Sequence, residues 1–348
     1  MVFCAVTATT VQAEDITNAT KIEITKSWTQ EPGGWTYPIR LHVPDEMPTG
    51  GYPVCVLLHG AGSDGTGMLI GFQQVLPDHI LVVPSGYQQG WNICREDSEA
   101  PDVEMVRELI EIIQSYDNVN TNAIRIFGSS NGAALSHRVY IEVDNPGIDT
   151  VVTAISQLSD IQYRASSFHR PAGEPDETAD FCGYAELVTP LTTRRYLNIC
   201  NENDPTIPYE GGFSPESEIA YLEARMSAFR IAQAKGYSDG PLLGDGDEIG
   251  ESNVYKYEYL KGDVVHLRGF ALHAMNETQE DYVSAFLGTW PDAEEDCFGD
   301  FNGDGVVNGG DLGLMVAGWG TAEYDLTGDG TTNGADLGLL LNAWGDCI

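Results

Sequence analysis

The rhythm of the chain constrains its fold most. Short apolar runs at 54–58, 80–83, 123–127, 151–155, 196–200 and 254–259 alternate with segments of helical period such as 103–113 and 219–234. Apolar runs this short predict strands buried on both faces, and repeated strand–helix–strand order predicts a mostly parallel sheet with helices on both sides. Residues 21–25 and 40–43 alternate apolar with polar and read as antiparallel edge strands. With 348 residues the chain is long enough for one large domain and a smaller appended one.

Between the run at 123–127 and a helical segment at 133–142 lies Gly128-Ser129-Ser130-Asn131-Gly132, which fits G-x-S-x-G with Ser130 at its centre. Strand, glycine-bracketed serine and helix form the context of a nucleophile elbow, a strained turn that lifts a hydroxyl above the sheet. Ser129 is out of register and should be a bystander. A serine hydroxyl is a weak nucleophile and needs a base, which in turn needs a carboxylate to orient it. Behind such an elbow the order is serine, acid, histidine. His273, just past a strand pattern at 264–267, stands where the base belongs; His266, inside that pattern, is the structural alternative, and His137 sits within the helix after the serine. Asp204 follows the run at 196–200 on a proline-stiffened loop and is the candidate acid, with Glu202 as its rival. The turn Leu57-Leu58-His59-Gly60-Ala61-Gly62 leaves another strand, so the amides of Ala61 and Asn131 are candidate oxyanion donors, with His59 bracing the loop.

Leu58-His59-Gly60, the serine motif, the stretch Asp204-Pro205-Thr206-Ile207-Pro208-Tyr209-Glu210-Gly211-Gly212 and the late His273 together resemble secreted esterases of the polyhydroxybutyrate depolymerase, feruloyl esterase and acetylxylan esterase group. The resemblance spans roughly 39–287. It implies an α/β-hydrolase fold, a Ser130–His273–Asp204 triad and a serine carboxylic-ester hydrolase that needs no cofactor for catalysis. Where family members often carry Gly-Gly-Gly-His, this chain has Gly269-Phe270-Ala271-Leu272-His273, which points to a different pocket wall. Trp91, followed by Asn92, resembles a family feature beside the cleft, where an indole would hold an aromatic or polymeric substrate; the other reading is a packed tryptophan.

After Trp290 the composition changes. An acidic connector at 291–299 leads to a duplication at an offset of 25 residues, 300–319 and 325–344. Such regularity marks a separate module. Oxygen-bearing residues at loop positions one, three, five, nine and twelve, with glycine at six, match the spacing that wraps Ca2+. The first set is Asp300, Asn302, Asp304, the Val306 carbonyl, Asn308 and Asp311; the second is Asp325, Thr327, Asp329, the Thr331 carbonyl, Asn333 and Asp336. Thr327 offers a neutral hydroxyl, so the second loop should bind more weakly. Residues 292–299 lack an apolar period that could supply an entering helix. Loop plus exit helix, duplicated, resembles the dockerin module, which implies a cohesin-like partner. Loop positions ten and eleven, which help contact that partner in the family, hold Gly309, Gly310, Gly334 and Ala335 here.

The net charge of −36 repels phosphate backbones and anionic bilayers, so neither nucleic acid nor membrane is an expected partner. Residues 1–13 end in Val11-Gln12-Ala13 and read as the remnant of a signal peptide, which predicts export. The expected organisation is therefore the signal remnant at 1–13, an esterase domain at 14–290, a linker at 291–299 and the calcium-loop module at 300–348. Cys55 and Cys200 lie in strand-like runs and are expected as core thiols; Cys94 with Cys182, and Cys297 with Cys347, are candidate disulfides. The expected substrate is an ester, polymeric in the favoured reading: feruloyl or acetyl esters of plant polysaccharide, or a polyhydroxyalkanoate or other polyester. The competing class is a non-catalytic, calcium-dependent binding or scaffold protein built on an inactive hydrolase fold.

Overall fold

The computed structural model describes residues 14–251, 253–288, 299–302, 306–327 and 330–346. The signal remnant at 1–13, the linker from 291 to 298, Asp304, Asp329 and the Cys297–Cys347 pair lie outside the described residues. The chain divides after Gly288 into two units.

The larger unit is built on a nine-stranded sheet. Its strands in chain order are β1 (Ile39–His42), β2 (Tyr52–Leu58), β3 (Ile80–Pro84), β4 (Val119–Ser129), β5 (Ile148–Ala154), β6 (Arg195–Asn201), β7 (Asp247–Ile249), β8 (Val254–Tyr259) and β9 (Val264–Gly269). Across the sheet they run β7-β8-β9-β6-β5-β4-β2-β3-β1. The stretch from β9 to β3 is wholly parallel. β1 closes one edge antiparallel to β3, and β8 and β7 extend the other edge antiparallel. This large, mostly parallel sheet flanked by helices is consistent with the α/β-hydrolase fold.

Every residue of β2 is buried, and the strand pleat sorts them by face. Val54, Val56 and Leu58 join one core with Val106, Leu109 and Ile110 of α2 (Asp102–Ile113), Leu135 and Val139 of α3 (Asn131–Glu142), and Ile231 of α4 (Ala224–Ala234). Cys55 and Leu57 point the other way, into a core with Phe72 of α1 (Thr66–Val75) and Val283, Phe286 and Leu287 of α5 (Glu277–Gly288). Two-sided burial explains why the central strands are continuous apolar runs, and truncating a core leucine such as Leu109 to alanine should cost about 2–5 kcal/mol.

Residues 254–259 form the expected strand, and it runs antiparallel to β9, since the four-residue connection from Leu260 to Asp263 is too short for a crossover and permits only a hairpin. Two expectations need correction. Thr25–Lys26 pairs with Trp35–Thr36 in a small separate sheet and does not edge the large one. Ile219–Tyr221 is a strand paired with Gly212–Ser214, and the helix begins only at Ala224, because Ile219 and Tyr221 bury their side chains on one face of a hairpin.

Cys94 and Cys182 form a disulfide across 88 residues, whereas Cys55 and Cys200 are free and buried. Burial pushes both thiols well above their ordinary range. In the smaller unit, α6 (Gly309–Ala317) and α7 (Gly334–Asn342) each start with a capping box, Asn308 with Asp311 and Asn333 with Asp336. Val307, Met315 and Leu340 form its small core. Among the described residues no helix is long and apolar enough to cross a membrane.

Candidate active site

The turn from β4 into α3 holds Ser130 at φ 54° and ψ −118°, a conformation a side-chain-bearing residue rarely adopts. Its neighbours make that possible. A Cβ on Gly128 would stand 2.1 Å from the Gly132 carbonyl oxygen, and one on Gly132 would stand 2.1 Å from that of Leu58. Only glycine lets strand and helix close this tightly, and the closure fixes Ser130 by its amide, which donates to the Ala154 carbonyl at 2.9 Å.

The loop after β9 carries His273, and the loop after β6 carries Asp204. Ser130 Oγ lies 2.8 Å from His273 Nε2, and His273 Nδ1 lies 2.8 Å from Asp204 Oδ2. An ionised carboxylate only accepts, so Nδ1 carries the ring proton and Nε2 is left to accept from the serine hydroxyl. The second Asp204 oxygen accepts from the amides of Thr206 at 2.8 Å and Ile207 at 3.1 Å, and the side chain is only 3% exposed. The carboxylate is thus aimed before any substrate arrives.

The rivals are engaged elsewhere. Glu202 pairs with Arg268 at 3.1 Å. His266 is fully buried between Asn198 and Tyr209, each at 3.0 Å, and burial, with Arg225 and Arg268 nearby, holds its pKa down to about 3. His137 is buried in α3 against the Tyr196 hydroxyl, its pKa likewise lowered by burial to about 3.

Ser130, Ala61 and Asn131 line one cavity of about 270 Å3, with Ile93, Ile207 and Ile219 among its apolar walls. The amides of Ala61 and Asn131 donate to no acceptor among the described residues, which leaves both N–H groups for a ligand oxygen. His59 is buried, with Nδ1 2.8 Å from the Gly60 carbonyl and Nε2 accepting from the Gly86 amide at 2.9 Å; burial lowers its pKa, so it stays neutral and braces this loop.

Trp91 is the site residue whose placement differs from a substrate-binding one. It is 0% exposed, and its indole N–H donates to the His59 carbonyl at 2.8 Å. The indole is packed under the cleft floor and presents no face to a ligand. Conversely, the sequence does not single out Asn201 or Gln279, yet Gln279 Nε2 donates to Asn201 Oδ1 at 2.9 Å and Asn201 holds the loop that carries His273. Only the position of Asn201, at the end of an apolar run next to the Asp204 loop, could have drawn attention to it.

In the smaller unit the described loop residues curl around their last carboxylate. Asp311 is fully buried; its Oδ1 accepts from the amides of Phe301 and Asn302 at 2.9 and 3.2 Å, and its Oδ2 from Asn308 at 2.8 Å. Asp336 repeats this with Leu326, Thr327 and Asn333 at 2.9, 2.9 and 2.6 Å. The Gly330 amide reaches the Asp325 carboxylate at 2.5 Å. Among the described residues no group of three or more His, Cys, Asp or Glu side chains is placed to hold a metal ion, and the position-five carboxylates Asp304 and Asp329 lie outside them. The donors present are oxygens, the chemistry of a hard cation.

No known family and no curated protein matches the chain. Among solved structures it is similar to an acetyl xylan esterase from Aspergillus awamori, at 12% identity over 72% of this chain and 93% of that one, with a TM-score of 0.48. A Bacillus cereus carboxylesterase gives 12%, 72%, 93% and 0.46. A poly(3-hydroxybutyrate) depolymerase from Bordetella parapertussis gives 16%, 57%, 72% and 0.39. Likenesses this distant carry no weight for the chemistry.

Proposed function

We propose that this chain is a serine carboxylic-ester hydrolase. The observation that carries the reading is the unbroken Ser130–His273–Asp204 relay, with 2.8 Å at each step. As Ser130 Oγ bonds to the ester carbonyl carbon, its proton passes to His273 Nε2, and Asp204 stabilises the resulting imidazolium. The amides of Ala61 and Asn131 receive the negative charge that gathers on the carbonyl oxygen, each such donor contributing roughly 3 kcal/mol in the transition state. Collapse breaks the ester C–O bond, and the departing alkoxide takes the proton from Nε2. Water then gives a proton to Nε2 and adds to the acyl carbon; the Oγ–acyl bond breaks, Oγ recovers the proton, and the acid leaves.

The substrate we favour is an acetyl or feruloyl ester of plant polysaccharide, with hydroxyalkanoate polymer and other polyesters next. The calcium loops of the smaller unit support a polysaccharide setting through their likeness to dockerins, and a cohesin-like protein is the partner that likeness proposes. Asp300, Asn302, Asp304, the Val306 carbonyl, Asn308 and Asp311 would hold one Ca2+, and the corresponding residues from Asp325 to Asp336 a second. Calcium there would order the module and take no part in ester cleavage. Export is proposed on the leader-like residues 1–13, and the Cys94–Cys182 bridge fits an oxidising compartment.

A fluorophosphonate probe should label the wild-type protein and fail on Ser130→Ala, with p-nitrophenyl acetate turnover lost in parallel. Undiminished hydrolysis by Ser130→Ala would refute the assignment. Methyl ferulate, acetylated xylan and polyhydroxybutyrate compared side by side would rank the substrates.

A further inference from the structure

Glu96 borders the active-site cavity but belongs to none of the groups that move protons in the proposed reaction. Its carboxylate is nonetheless fully engaged. Oε2 accepts from three successive amides, Ile93 at 2.9 Å, Cys94 at 2.7 Å and Arg95 at 3.1 Å. Oε1 accepts from Asn131 Nδ2 at 3.1 Å. One oxygen therefore organises the loop that the Cys94–Cys182 disulfide anchors, and the other reaches the residue directly after the nucleophile.

The Asn131 side chain passes this constraint on. Its Oδ1 accepts from the Trp91 amide at 2.7 Å, and its Nδ2 donates to the Trp91 carbonyl at 3.1 Å as well as to Glu96. Trp91, in turn, donates its indole N–H to the carbonyl of His59, two residues before Ala61. Ala61 and Asn131, which line the cavity with Ser130, therefore belong to loops joined by one continuous set of hydrogen bonds through Trp91. Without Glu96, Asn131 Nδ2 would keep a single acceptor, and the 93–95 amides would lose their shared one.

We propose that Glu96 is a positioning residue for the oxyanion hole: through Asn131 and Trp91 it fixes the spacing of the Ala61 and Asn131 amides. The proposal rests on the ester-hydrolase reading. All the hydrogen bonds of this carboxylate run to the framework, and its four N–H donors offset part of the cost of burial, which still holds its pKa above the ordinary carboxylate range. Trp91 thereby has a definite task, that of a strut between the two oxyanion loops.

The test compares wild type, Glu96→Gln, Asn131→Ala and the double variant on p-nitrophenyl acetate, with thermal unfolding as a control. Glutamine matches glutamate in shape but sets an NH2 group against donors at one end. Expected for Glu96→Gln is a fall in kcat of about 10- to 100-fold with KM changed less than about 3-fold. Affinity for a trifluoromethyl ketone, whose adduct with Ser130 mimics the tetrahedral intermediate, should fall by a similar factor. Affinity for the alcohol product should hold. The double variant should fall no further than the larger of the two single effects, since both residues act through one network. Unchanged kcat in Glu96→Gln would overturn the proposal, and so would equal losses in ketone and alcohol affinity, which would indicate general loosening. Wild-type protein inert to both fluorophosphonate and the ester would instead sink the hydrolase reading, and this proposal with it.

Discussion

Asn201 grips the backbone on both sides of His273. Its Nδ2 donates to the Leu272 carbonyl at 2.8 Å and to the Ala274 carbonyl at 2.7 Å, while the His273 ring reaches out to Ser130 and Asp204. Leu272 has φ 56°, so the peptide leading into His273 is held in a conformation that costs energy and persists only where its surroundings impose it. Asn201 imposes it from the end of β6, three residues before Asp204, and thereby ties the acid loop to the base loop. Replacing Asn201 with alanine should leave two carbonyls and the Gln279 amide short of partners, lowering stability by about 1–3 kcal/mol. It should also lower kcat by about 10-fold or more through misplacement of the imidazole. Urea unfolding and ester turnover on the same preparation check both figures; normal kcat in a folded Asn201→Ala protein would contradict the second.

The elbow makes a different demand. Gly132→Ala would set a methyl 2.1 Å from the Leu58 carbonyl oxygen and 2.6 Å from that of His59, backbone atoms that cannot swing aside. A destabilisation of about 3 kcal/mol or more is expected, or failure to accumulate folded protein. Ser129→Ala, one residue before the nucleophile and outside the relay, should keep activity within about 2-fold. Expression yield, thermal midpoint and turnover of the two variants provide the comparison. A Gly132→Ala protein as stable as wild type would show that the turn is looser than described.

Much of this site was legible in the sequence, for a physical reason. The nucleophile, acid and base candidates each stand at the end of an apolar run, and strand ends on a parallel sheet bring distant segments to one edge. Ser130, Asp204 and His273 therefore converge although 143 and 69 residues separate the bonded pairs. The groups that hold them were not legible. The contacts by which Glu96, Asn201 and Gln279 reach the site run to groups 35 to 78 residues away, and no periodicity announces such pairings. Trp91 misleads for a related reason: an indole beside a cleft and an indole beneath it look alike in sequence. At the sheet margins, the strand at 254–259 was legible as a strand but its direction was not, because the tight turn at Leu260–Gly262 sets it antiparallel and apolar content does not.

Burial of His266 predicts a pH dependence of stability. Its folded-state pKa lies near 3, below the ordinary value of about 6.5, because charging the ring inside the core is unfavourable. The unfolded chain therefore binds a proton that the folded chain refuses. The stabilising contribution is complete above about pH 6.5 and is lost as pH falls toward 3, with a slope of up to about 1.4 kcal/mol per pH unit from this group. His137, also near 3, adds in the same sense. In His266→Gln the fall in unfolding free energy between pH 6.5 and 4 should be shallower than in wild type, whatever the loss at pH 7. Urea unfolding at several pH values gives both slopes, and parallel lines would mean that His266 titrates normally in the folded protein.

The duplicated loops lead to a prediction about calcium that separates the two units. Asp311 and Asp336 occupy equivalent places and accept equivalent backbone amides, so the two loops share one framework. They differ at position three, Asn302 in one and Thr327 in the other, and the Thr327 hydroxyl donates to the Asp325 carboxylate at 3.1 Å. A hydroxyl that donates to the position-one carboxylate must turn away from it before it can offer a lone pair to a cation, and a neutral hydroxyl is not among the usual calcium ligands, whereas an amide carbonyl is. Titration calorimetry of the full chain should therefore resolve a tighter and a weaker calcium site. Asp300→Ala should abolish the tighter and Asp325→Ala the weaker. Because Ser130, His273 and Asp204 hydrogen-bond to one another and the proposed reaction moves its protons through them alone, chelation should lower the unfolding temperature of the smaller unit while ester turnover stays within about 2-fold. Two sites of equal affinity would contradict the role given to Thr327, and loss of turnover on chelation would contradict the separation of calcium from catalysis.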